Sequence, residues 1–194
     1  YMVIIIFGQK VAMSVVTEKT SRAMEVLITS ATPVALMFGK ILASSVAGII
    51  QIAAIFGAAF VSYNVNKTYF EDNAIITTLF NFPASLVGYL LVFFLLGFLV
   101  YSFLFGAMAS TVSKIEDLSS ALMLIQIIFV AGFVVSINAM TSGDINSVLM
   151  KTLSLFPFTS PMAMFTRIAM SEVPGLEVLL SIIFLILATL LIGF

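Results

Sequence analysis

Long apolar runs separated by short polar stretches organise this chain. Residues 1–16 are apolar apart from Gln9 and Lys10, and further apolar runs occupy 41–63, 84–111, 118–140 and 176–194. Polar connectors fill 64–83 and 112–117. About 20 apolar residues in a helix cross the roughly 30 Å of membrane hydrocarbon. The pattern therefore predicts membrane helices at 41–63, 84–111 and 118–140, the inner part of a span at 1–16, and a last span beginning at Leu176. The run 84–111 exceeds what a perpendicular crossing needs and predicts tilt or a projecting end. Tyr63 and Tyr69 suit the aromatic belt at a membrane surface. Within 41–63 small residues recur four apart, as Ser44 with Gly48 and Ala53 with Gly57, a spacing that lets helix backbones approach.

Two stretches depart from this alternation. Residues 141–172 are divided by Lys151 and Arg167 and broken in the middle by Pro157 and Pro161. Each half is too short to cross the hydrocarbon. One reading is two half-helices that dip in and return around the turn at Pro157, Thr159, Ser160 and Pro161. Irregular backbone at that depth requires protein or water to satisfy it. The other reading is a pair of helices lying flat on the surface.

Residues 17–40 form the second departure, with Glu18, Lys19, Arg22 and Glu25 gathered between two apolar runs. In a helix Glu18 and Arg22 are four apart and Arg22 and Glu25 three apart, so all three share a face. Met24, Leu27 and Ile28 take the opposite side. Thr32 and Pro33 read as a helix start, a hydroxyl N-cap followed by proline at the first helical position. Gly39 and Lys40 close this second helix or bend it into the next apolar run. The stretch predicts two short surface helices joined by a turn at 29–32; the alternative is a solvated connecting loop.

Composition agrees with a membrane bundle: 62% of residues are apolar and 9% charged, against roughly half and a quarter in soluble domains. The chain has no cysteine and no histidine. Disulfides, zinc sites and the commonest general base are thereby excluded. No phosphate-binding glycine-lysine loop occurs, so ATP is not bound by that route. Asp72, Asp117 and Asp144 fall in connectors or at their edges, not at mid-span as an intramembrane aspartyl protease requires. No basic patch suggests nucleic acid. An enzyme is not expected. With 17–40 placed in the cytoplasm, Lys10, Lys19, Arg22, Lys40 and Lys114 lie inside and Lys67, Lys151 and Arg167 outside, a five-to-three bias of the expected sign. The polar candidates within spans are Gln51, Gln126 and Asn138, which either line a path or bond neighbouring helices.

The order Glu18-Lys19, Arg22, Met24-Glu25-Val26-Leu27, then Ser30, Pro33-Val34 and Gly39-Lys40, resembles the cytoplasmic loop of type-2 ABC exporter permeases, the sodium-efflux permease NatB group in particular. The run Phe156 to Pro161, then Arg167 and Val173-Pro174, is a second match. Ala31-Thr32 departs from relatives that carry proline or serine earlier in the turn. The resemblance implies an all-α integral membrane bundle with a coupling-helix loop and a re-entrant extracytoplasmic hairpin. It implies a fragment over 1–194, with an earlier span and an extracytoplasmic domain before Tyr1 and the last span cut at Phe194. The implied partners are a separate ABC ATP-binding subunit, which holds the ATP, a second permease copy, the same or different, and the lipid of a bacterial plasma membrane. Glu18, Lys19, Arg22, Glu25, Pro33, Gly39 and Lys40 would couple to the ATP-binding subunit. Sodium is the implied cargo of the NatB branch, and drugs, peptides or lipids those of other branches. A membrane-anchored scaffold is the competing class, separated by whether ATP turnover in a partner depends on this chain.

Overall fold

In the computed structural model, residues 2–21, 29, 32–70 and 83–193 are described. The first helix, α1 (Met2–Thr20), buries Ile4, Phe7, Gly8, Val11, Ala12, Val15 and Val16, a stripe at three- and four-residue spacing. The helix does not end with the apolar run at Val16 but continues through Thr17 to Thr20. The second helix, α2 (Pro33–Val65), starts as its sequence predicts: Thr32 Oγ1 accepts from the Ala35 amide at 3.3 Å, and Pro33 takes the first position. It then runs unbroken for 33 residues. The expected second short helix is therefore corrected, since residues 33–40 begin a long helix; the first, across residues 22–28, lies outside the described residues. Gly39 alone does not interrupt α2, because one glycine costs only about 1 kcal/mol against a capped start and a long apolar continuation.

A short turn of helix, α3 (Lys67–Phe70), follows. The next long helix, α4 (Ala84–Thr111), begins directly after Pro83 and has the predicted limits. A 3-10 turn at Ile115–Asp117 leads into α5 (Leu118–Ser142). Two short helices come next, α6 (Val148–Leu155) and α7 (Ser160–Met170), and α8 (Gly175–Gly193) ends the chain. Helices α2, α4, α5 with its leading turn, and α8 are each long and apolar enough to cross a membrane. The chain is thus an all-helical, multi-pass membrane bundle.

Helix α4 is its axis. It packs against α1, α2, α5, α7 and α8, and Phe93, Phe98, Val100, Tyr101 and Phe105 are buried along it. Aromatic edges join it to its neighbours: Phe38 meets Phe103 at 4.9 Å between centroids, and Tyr101 meets Phe129 at 5.2 Å. Only Ile41, Ser45 and Gly48 of α2 are buried. Ala53 and Gly57 are exposed, so the small-residue face expected on the second half of α2 is not used within this chain.

The segment α6–α7 is a hairpin that goes deep. Its tip packs on two glycines, where the side chains of Thr159 and Pro161 leave no room for a Cβ. A Cβ at Gly132 would lie 2.9 Å from Thr159 Cγ2, and one at Gly97 would lie 2.7 Å from the Pro161 ring. Gly132 is ten residues below the adjacent end of α5 and Gly97 thirteen below that of α4, or about 15 and 20 Å of helix. The tip thus reaches the middle of α4, which selects the re-entrant reading over helices lying flat on the surface.

Candidate functional site at the two ends of the bundle

One end of the bundle carries the 21–32 connection, the other the mouth of the hairpin. At the connection end the last turn of α1 supplies two charges. Glu18 pairs with Lys40 of α2 and accepts a hydrogen bond from Ser14 at 3.2 Å. Lys19 donates to the carbonyls of Ser110 at 2.7 Å and Val112 at 3.0 Å. Those are orphan acceptors at the C-terminus of α4, where the helix dipole also favours a cation. One turn of α1 thereby ties the feet of α2 and α4 at fixed spacing.

Of the coupling residues read from sequence, Glu18, Lys19 and Lys40 are engaged in these ties. Pro33 and Gly39 are exposed on the first turns of α2. Arg22 and Glu25 lie outside the described residues. No local signal pointed to the Lys19 contacts, because their acceptors are backbone atoms 91 and 93 residues away.

At the hairpin end a buried polar network joins three helices. Arg167 of α7 is 1% exposed. Its guanidinium donates to Ser154 Oγ of α6 at 2.8 Å and to Asn146 Oδ1 at 3.4 Å, and pairs with Glu177 of α8 at 2.8 Å. Its Nε is buried without a partner among the described residues. Ser160 and Ser181 share a hydrogen bond between their hydroxyls, and Ser181 donates to the Ser154 carbonyl at 2.9 Å. Thr159 closes the turn by donating to the Leu153 carbonyl at 2.7 Å. Tyr101 of α4 reaches the exposed backbone of the tip, donating to the Phe158 carbonyl at 2.5 Å. These bonds satisfy the irregular backbone that hydrocarbon would penalise. Pro157 is half-buried in the turn and Pro161 is buried against α4. Sequence reading singled out Thr159, Ser160 and Arg167 but not Glu177, Ser154, Ser181 or Tyr101, whose roles depend on helices meeting.

The three span amides do not converge. Gln51 and Asn138 are exposed on α2 and α5, and Gln126 is half-buried on α5. Helices α2 and α5 make no extended contact. Between α1, α2, α4 and α7 lies a cavity of about 240 Å³ lined by Val3, Ile52, Phe56, Phe94, Pro161 and Phe165 among other apolar residues, which offers room but no charge. No group of three or more acidic residues capable of holding a metal ion occurs among the described residues.

The described residues form a multi-span bundle with ionic ties at one end and a deep polar hairpin at the other. The chain belongs to the ABC-2 family transporter proteins, whose family profile matches residues 1–194. It is 35% identical over 176 residues to the uncharacterized protein YhaP of Bacillus subtilis (strain 168), covering 90% of this chain and 42% of that protein. It is 31% identical over 181 residues to the uncharacterized protein MJ1024 of Methanocaldococcus jannaschii, covering 93% of this chain and 41% of that protein. The chain thus spans about two-fifths of the length of these relatives. No solved structure matches it significantly.

Proposed function

We propose that this chain is the permease part of an ATP-driven exporter, working as a pair with a second permease copy. The connection at 21–32 docks on a separate ATP-binding subunit. The observation that carries this reading is the tie at the feet of the helices. With Glu18 on Lys40 and Lys19 on the end of α4, movement of the connection displaces α1, α2 and α4 together. ATP-driven closure of the partner then becomes a rigid-body shift of the bundle. The hairpin, with its own network, forms the opposite, outer closure.

Sodium is the finer cargo suggested by likeness to the NatB group. Hard cations require several convergent oxygen ligands. The dispersed positions of Gln51, Gln126 and Asn138 do not favour it, and alanine at all three is expected to leave export unchanged. The test of the main reading is reconstitution of the full-length protein with its ATP-binding subunit in sealed vesicles. Permease-dependent ATP turnover and ATP-dependent export are expected. A partner whose ATP turnover ignores the permease would favour a membrane-anchored scaffold. Orientation is checked separately: single cysteines at Thr20 and Asn66 should label from opposite sides, and labelling from one side contradicts the arrangement.

A further inference from the structure

Among the described residues of this chain, nothing covers one face of helix α1. Met2, Ile6, Lys10, Met13 and Thr17 are exposed and recur every three or four positions, so they form a single stripe. Gly8, two residues before Lys10, abuts Phe105, which lies six residues from the connection end of α4 and 21 from the other. The nearest water is therefore at the connection end, about 10 Å away along the helix.

A lysine facing lipid at this depth extends its amine toward the nearest surface. Lys10 does the reverse. Its ammonium folds back over the ring of Phe7, 4.5 Å from the centroid, one turn further from the connection end. The ring face attracts a cation and holds the charge at depth. A charge held there is stable where water or a polar partner meets it, not where acyl chains do. No acidic group neutralises it from its own helix, because Glu18 is held by Lys40 and Ser14 two turns below. Glu116 and Asp117 lie in the turn that touches α1, in the segment that follows Val112, to which Lys19 at the far end of α1 donates.

We infer that the uncovered stripe of α1 lines a water-filled path, and that Lys10 makes this path selective for cargo with an anionic head group and an apolar body, and against free metal cations. Ile6 and Met13 flank the charge with apolar surface, which suits an amphiphile better than a small ion. The cargo class rests on the exporter reading; the charge of the path does not.

This chain has no cysteine, so thiol chemistry tests the path directly once any cysteine elsewhere in the full-length complex is replaced. A cysteine is placed at Met13, one turn from Lys10, in the full-length complex in vesicles. Its modification is timed with the sulfonatoethyl (anionic) and trimethylammonioethyl (cationic) methanethiosulfonates, each relative to its rate with a free thiol. Both are expected to react, the anionic reagent preferentially. Lys10→Gln should lower that preference about tenfold, a single charge acting across a few ångströms of partly hydrated space, and Lys10→Arg should keep it. Failure of either reagent to react places the stripe against lipid or packed protein and overturns the path. A preference unchanged by Lys10→Gln overturns the role of Lys10. In the same vesicles an alkyl phosphate, an alkyltrimethylammonium and radioactive sodium are offered with ATP. Accumulation of the alkyl phosphate, reduced tenfold or more by Lys10→Gln, is the expected result. Preferred movement of sodium or the ammonium overturns the cargo class. Movement of none of the three, with the thiol result as expected, overturns the exporter reading and the cargo class with it while the charged path stands.

Discussion

The connection end and the hairpin end both use charge to hold helices together, but in opposite environments. Glu18 and Lys40 keep about a fifth to a quarter of their side-chain surface in contact with solvent. Arg167 keeps 1%, although its partner Glu177 keeps 29%. A solvent-screened pair contributes at most about 1 kcal/mol, whereas deleting a large, fully buried side chain costs about 2–5 kcal/mol. The contrast suits the proposed docking role of the connection end and a hairpin that keeps its shape in hydrocarbon. A tie near water can be rearranged at little cost; a buried network is either complete or broken.

The largest effect should follow Arg167→Ala, which empties a fully buried position between α6 and α8 and leaves Ser154 and Asn146 without their donor. We expect a loss of about 2–5 kcal/mol, read as a lower unfolding temperature of the detergent-solubilised protein. Arg167→Lys should recover only part of it, because an ammonium lacks the planar fork that serves Ser154, Asn146 and Glu177 together. If Arg167→Ala proves as mild as a change at Lys40, the contrast between the ends collapses.

Next in size is Gly97→Val. The new side chain meets Pro161 and pushes the hairpin tip off α4, at about 1–3 kcal/mol. Here the informative readout is a cysteine at Ser160, which should become more reactive to impermeant reagents from the hairpin side and stay silent from the other. Reaction from the connection side would contradict the re-entrant path. Tyr101→Phe removes one hydrogen bond to the tip and should cost about 1 kcal/mol; a larger loss would mean the tip depends on that single anchor.

At the connection end, Glu18→Lys should change stability by no more than about 1 kcal/mol, with Glu18→Lys plus Lys40→Glu restoring it. Its mark should be on coupling: ATP turnover that no longer responds to the permease. The smallest stability effect is expected for Glu25→Arg, since the helical pair with Arg22 that the sequence predicts contributes about 0.2–0.5 kcal/mol when exposed. If the connection is the docking surface, the same change sharply reduces transport, and a reversed charge on the ATP-binding subunit restores part of it. Full transport by Glu25→Arg in the complete complex would move the docking surface elsewhere.

Much of the architecture is legible in the pattern alone, for a physical reason specific to membranes. Hydrocarbon demands runs of about 20 apolar residues in helices, so the run at 84–111 specified α4 and Pro157 with Pro161 specified the break in the hairpin. The cap at Thr32 and Pro33 was legible because capping is local. The pattern misjudged where the polar connection begins. The pattern puts Glu18, Lys19 and Lys40 on short surface helices, yet they sit on the long helices α1 and α2, where each finds a partner that lets the helix continue.

The sequence by itself determined the class of solvent, the number and limits of most helices, and the family. Which charges face inward was decided only by the tertiary structure. Arg167 became a buried bridge because α6, α7 and α8 bring Ser154 and Glu177 to it. Lys19 became a helix cap because α4 ends beside α1. Lys10 stayed uncovered because α4 takes the opposite face of its helix. Periodicity assigns a residue to a face of its own helix. What that face meets depends on helices distant in the chain, and an ionic or hydrogen-bonded partner acts only over a few ångströms, a distance that sequence spacing does not encode.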